Sequence, residues 1–96
     1  MVLDVIENSE RKRFEAIIDQ EMAVIEYIRA KGAVYLTHTE VPKVLEGKGV
    51  GSALVKSVLH ILKEEGSKVA PLCPFVAAYI KRHPEWKEIL APNYNV

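Results

Sequence analysis

The sequence predicts an α+β domain: an antiparallel β-meander, one parallel strand added through a helical crossover, and a C-terminal helix. Three observations carry this. Apolar residues alternate with period two in successive stretches before Pro42. The period then lengthens to three and four residues between Val50 and Leu62. A short apolar stretch, Ser67–Cys73, follows, so a strand–helix–strand unit completes the order βββαβα.

Met1–Glu10 is a short lead whose Val2, Val5 and Ile6 suit either an edge strand or a loose tail. In Arg11–Asp19, Phe14, Ala16 and Ile18 share one face, and Arg13 and Glu15 the other, as in a half-buried strand. Asp19-Gln20-Glu21 is a polar break. Met22–Arg29 alternates again, with Ala23, Ile25 and Tyr27 opposite Glu26. Lys31-Gly32 marks a turn, because Gly takes a positive φ without strain. Ala33–Val41 is rich in β-branched and aromatic residues, a third strand that Pro42 ends.

After the loop Lys43–Gly49, Val50, Leu54, Val58, Ile61 and Leu62 form the apolar stripe of a helix of about four turns. Lys56, His60, Lys63 and Glu64 fall opposite, and Gly66 is placed to end it. The next strand, Ser67–Cys73, is interrupted by Pro71. Phe75–Arg82 is a shorter helix stopping near Pro84, Glu85–Leu90 a further turn, and Ala91–Val96 a loose tail.

The chain of 96 residues, 49% hydrophobic and 27% charged, suits one domain spanning 1–96. Thirteen Lys+Arg balance 13 Asp+Glu, which argues against polyanion partners such as nucleic acid or an anionic membrane. One Cys allows no intrachain disulfide, and no Cys/His spacing suggests zinc. The apolar runs are too short to span a bilayer, and MVLDVIENSE lacks the basic start of a signal peptide. A cytoplasmic protein, monomeric or weakly dimeric through exposed sheet edges, is the expectation.

The informative segment is Glu46-Gly47-Lys48-Gly49-Val50-Gly51-Ser52, between a strand and a helix. A helix N-terminus presents unpaired N–H groups and the positive end of the dipole. Glycines let the backbone approach a phosphate, and Lys48 adds charge, so the loop reads as a phosphate or pyrophosphate site. The spacing fits neither a Walker A loop nor a dinucleotide-binding fingerprint. On the loop alone, a tight strand-to-helix turn without ligand stays an equal alternative.

Gly47-Lys48-Gly49-Val50-Gly51, after a strand ending in Val41-Pro42, resembles motif A of the GCN5-related N-acetyltransferases. Glu46 stands where that motif has Gln or Arg. His38-Thr39-Glu40-Val41-Pro42, the glycine loop, Pro71-Leu72-Cys73-Pro74-Phe75, Tyr79 and His83-Pro84 together resemble its small branch of about one hundred residues. The likeness runs from about Arg13 to Trp86, and the branch lacks the N-terminal helices that close over the acceptor in larger relatives. It implies acetyl-CoA as cofactor, with Val41 backbone on pantetheine. Gly47, Lys48, Gly49, Val50, Gly51 and Ser52 would cradle the phosphates.

Four side chains are catalytic candidates. Cys73 ends the strand after the helix, near where the resemblance puts the thioester. A thiolate nucleophile needs a helix N-terminus or a base beside it, whereas a lone Cys is usually buried and inert. His38 and Glu40, two apart on a strand, share a face. Either is a base for an amine, and imidazole is the better one near neutrality. A structural, hydrogen-bonded histidine is the competing reading. Tyr79 resembles the family tyrosine that protonates departing CoA thiolate, against plain packing. His60 reads as solvated, His83 as part of a helix stop, and Trp86 as core cover. Transfer of acetyl to an unidentified amine, directly or through Cys73, is the functional expectation. The alternatives are a non-catalytic CoA or acyl-CoA binder and a scaffold whose glycine turn is structural.

Overall fold

The computed structural model describes all 96 residues. Five strands form one sheet in the order β1-β2-β3-β4-β5: Val5–Asn8, Arg13–Ile18, Glu21–Ala30, Ala33–Glu40 and Lys68–Pro71. The first three pairings are antiparallel, and β4–β5 is parallel. Helix α1, Val50–Glu64, makes the crossover, and α2, Pro74–Arg82, follows β5. This is the expected meander with a parallel addition. The lead, open between strand and tail, is the edge strand β1.

Both tight hairpins are two-residue turns whose central residues all take positive φ: Asp19 and Gln20, then Lys31 and Gly32. That backbone twist matches the twist of the flanking strands. The inward faces supply Phe14, Ala16, Ala23, Ile25, Tyr27, Val34 and Leu36 to the core. Against them pack Leu54, Val55, Val58, Leu59 and Leu62 of α1, and Val76 and Ile80 of α2 join the same cluster. Gly66 ends α1 at φ +81, with its N–H bonded to Lys63 O and the Ser67 N–H to Leu62 O.

The C-terminal segment departs from the loose tail expected. A 3-10 turn at Pro84–Ile89 delivers Leu90 to a parallel bridge with Val69. The Ala91 N–H then donates to Val69 O at 2.8 Å, and Tyr94 packs edge-on against Tyr35. Unpaired groups on edge strand β5 thus find partners.

Pro71 also acts differently from expectation. It ends β5 rather than interrupting a strand that runs to Cys73. The last parallel pair is Leu36↔Pro71, and the Cys73 N–H closes the ladder on Leu36 O at 2.8 Å. Cys73 is already the N-cap of α2, with Pro74 at its first position.

Candidate functional site

Strand β4 outruns its parallel partner. Its pairing with β3 continues to Glu40, while its pairing with β5 stops at Leu36. The edge of β4 from Thr37 to Glu40 therefore faces a gap where β5 has turned away. A register shift at Glu26/Tyr27 sets two residues, Leu36 and His38, against consecutive residues of β3 and leaves Thr37 as the extra one. The Thr37 hydroxyl caps the irregularity by donating to Glu26 O at 3.2 Å.

This bulge reverses the phase of the strand. Val34 and Leu36 point into the core, but beyond Thr37 it is Thr39 that turns inward. Its Oγ1 lies 3.4 Å from Cys73 Sγ. His38 and Glu40 turn outward, 55% and 70% exposed at their side chains, with Nε2 and Oε1 3.5 Å apart. The expected shared face of His38 and Glu40 is present, and it is the solvent face.

At the end of β4 the chain passes through Val41, Pro42 and a 3-10 turn at Lys43–Leu45, then enters the glycine loop. Its glycines differ in purpose. Gly47 and Gly49 hold φ of +81 and +77 with open space around them, so each supplies a backbone conformation. Gly49 is also the N-cap of α1 and provides no side-chain cap. Gly51 lacks positive φ. A Cβ there would stand 2.8 Å from Phe75 Cζ, so Gly51 exists for the close approach of the Phe75 ring.

A groove of about 510 Å³ joins these parts. His38, Thr39, Glu40 and Val41 form one wall, Gly47, Gly49, Val50, Gly51 and Ser52 another, and Leu45, Glu46 and Phe75 complete it. Of the expected cofactor residues, only Lys48 is absent from the lining. Glu46 lines it and brings a carboxylate toward the α1 N-terminus. Thr39 and Phe75 were not singled out by the pattern. Only the shifted register reveals Thr39, and only the missing Cβ at Gly51 signals Phe75.

Cys73 is 4% exposed and does not line this groove. Its sulfur is held against Thr39 below the end of β4. Tyr79 is also buried, and it borders a second groove of about 510 Å³ with Lys56, His60, Lys63, His83, Glu85, Trp86 and Glu88. There it stacks on His83 at 4.3 Å, and burial, then the nearby Glu85 charge, push its hydroxyl up from the ordinary tyrosine range. His60 is exposed, as expected, and its ring meets Trp86 edge-on at 4.7 Å. The structure thus brings His38, Glu40, Val41 and the glycine loop together along the groove, sets Cys73 buried directly behind the groove-lining Thr39, and places Tyr79 at the second groove.

The donor set fits a CoA-type ligand. Unpaired strand edge suits the amides of a pantetheine arm, by strand addition. Free N–H groups at the α1 N-terminus, with glycines that hold no side chain over them, suit a pyrophosphate. No group of three or more His, Cys, Asp or Glu is assembled to hold a metal ion. No helix is long and apolar enough to cross a membrane.

Comparison with known proteins bears on the fold and the family. Residues 13–89 match a family model described as GCN5-related N-acetyl-transferase. Protein NATD1 of Xenopus tropicalis is 32% identical over 82 residues, covering 83% of this chain and 74% of the relative. Protein NATD1 of Homo sapiens is 33% identical over 82 residues, covering 83% and 72%. The NMR solution structure of a GCN5-like protein from Staphylococcus aureus superposes with a TM-score of 0.70. It is 23% identical and covers 93% of this chain and 88% of that one.

Proposed function

This chain belongs to the GCN5-related N-acetyltransferase family, and we propose that it binds acetyl-CoA in the β4–α1 groove and transfers the acetyl group directly to an amine. One observation carries the proposal: the parallel pairing stops at Leu36↔Pro71 while β4 runs on to Glu40 and leads into the glycine loop. That arrangement offers a strand edge and an anion cradle in sequence along one ligand.

The backbone of Gly47–Ser52 at the α1 N-terminus holds the phosphates, and the free edge of β4 through Val41 holds the pantetheine amides. Phosphate charge is met mainly by N–H groups and the helix dipole, which explains how a chain of zero net charge serves an anionic ligand. Acetyl-CoA, when bound, supplies an activated acetyl group as its thioester. His38 is the group that takes the proton from the acceptor ammonium. Glu40, with Oε1 3.5 Å from Nε2, orients the imidazole. Backbone N–H groups on the unpaired β4 edge polarise the reacting carbonyl. Cys73 takes no part in the chemistry of this scheme: its buried sulfur packs against Thr39 behind the end of β4.

The test is acetyl transfer to a panel of amines, read as free CoA thiol, in the wild type and in His38→Gln. Turnover that falls about a hundredfold or more in the variant, with acetyl-CoA affinity unchanged, is the expected result. Acetyl-CoA binding with no thiol release for any amine would replace the transferase reading with a CoA-binding module.

A further inference from the structure

The face of β1–β4 opposite α1 bears no helix. Along β3 the outward residues are Met22, Val24, Glu26 and Ile28. The register sets Ile17 beside Met22 and His38 beside Glu26 on the same side. Ile17, Met22 and Ile28 are 69%, 39% and 54% exposed, far from the burial expected of large apolar side chains.

We infer that this face docks the acceptor, and that the acceptor is an extended polypeptide segment carrying a lysine between apolar side chains. The inference rests on the acetyl-transfer reading above. Three observations support it. First, charge is unbalanced at the centre. Arg13 is taken by Glu15 at 2.6 Å, Glu26 enters no ion pair, and Glu40 meets only His38. Two carboxylates there lack a Lys or Arg partner, which suits a cationic ligand. Second, the face is continuous with the groove, because His38 and Glu40 belong to both. An amine held at Glu26 and Glu40 lies beside the group that deprotonates it. Third, the pattern is longer than a small amine. From Met22 to Ile28 is about 20 Å at roughly 3.4 Å per residue. A small amine at Glu26 leaves both apolar ends in water, whereas a strand of about seven residues covers them.

The test uses a capped nine-residue peptide of alternating leucine and threonine with one central lysine. Binding is followed by amide NMR shifts without acetyl-CoA, so it does not depend on the cofactor site. Saturable shifts on β2, β3 and β4 are expected. Glu26→Lys should weaken binding about tenfold or more, and Ile28→Ser about threefold or more. Both variants should bind acetyl-CoA like the wild type, which shows that they fold. With acetyl-CoA present, the peptide should exceed Nα-acetyl-lysine amide in kcat/KM by about tenfold or more. The inference is overturned by the absence of saturable peptide shifts, by unchanged affinity in both variants, or by equal kcat/KM for the lysine amide. It is also overturned by a dimer in sedimentation that Ile17→Asp with Ile28→Asp dissociates, since a second copy then covers the face. Loss of acetyl-CoA binding with peptide binding intact counts against the transferase reading alone.

Discussion

Gly49 and Gly66 stand at opposite ends of α1 in nearly the same backbone state. Their φ values are +77 and +81, and a Cβ at either meets nothing within 4 Å. Replacing either with Ala therefore incurs the left-handed strain alone, roughly 1–2 kcal/mol. Reduced freedom of the unfolded chain returns about 0.4–1 kcal/mol. The net loss is about 0.5–1 kcal/mol for each, a fall in Tm of about 2–8 °C for a domain of this size. Only Gly49 lines the groove. There the new methyl group occupies the approach to the N–H groups that open α1. Gly49→Ala should therefore lose about tenfold or more in acetyl-CoA affinity, about 1.4 kcal/mol, whereas Gly66→Ala should bind like the wild type. Thermal unfolding by circular dichroism and calorimetric titration measure the two quantities separately. Equal affinity losses would trace the effect to stability. Unchanged affinity in both would make the glycine loop a structural turn and refute the cradle.

Cys73→Ala should keep kcat within about threefold, because the sulfur is buried and outside the groove. An acetyl adduct on Cys73 in intact-mass spectra, with turnover lost in the variant, contradicts direct transfer. Tyr79→Phe should likewise leave kcat within about threefold, as Tyr79 borders the second groove; a large loss restores it as the acid. Stability should fall in acid. Arg13 holds Glu15 below the ordinary carboxylate range, and Arg29 does the same to Glu65. Groups with depressed values stabilise the fold at neutral pH, and that contribution disappears as acid protonates them below that range. Tm measured between pH 7 and pH 3 should drop, with a shallower slope in Glu15→Gln; a flat profile in the wild type contradicts the assignment.

The meander, the crossover helix and the glycine loop were legible because each is written in local pattern. Phe14, Ala16, Ala23 and Ile25 alternate, Val50 to Leu62 follow the helical repeat, and the glycines cluster at a helix start. What was not legible depends on pairing. The bulge at Thr37 leaves no mark in composition, yet it decides that Thr39 faces Cys73 and that His38 and Glu40 face solvent. Gly51 looked like a third cradle glycine, and its reason is the Phe75 ring, a contact between two helices. Cys73 looked like the end of a strand. Pro71, which cannot donate to a ladder, stops the strand earlier and makes Cys73 a helix cap. The tail looked loose because Leu90 and Ala91 bond to an edge strand distant in sequence.

The most direct test of the central claim is titration of the isotope-labelled protein with acetyl-CoA, followed through its amide resonances. The account predicts saturable binding, with the largest shifts at Gly47–Ser52 and Thr37–Val41 and small ones around His60, His83 and Trp86. Absence of binding at millimolar acetyl-CoA, or shifts centred on that second groove, would contradict it.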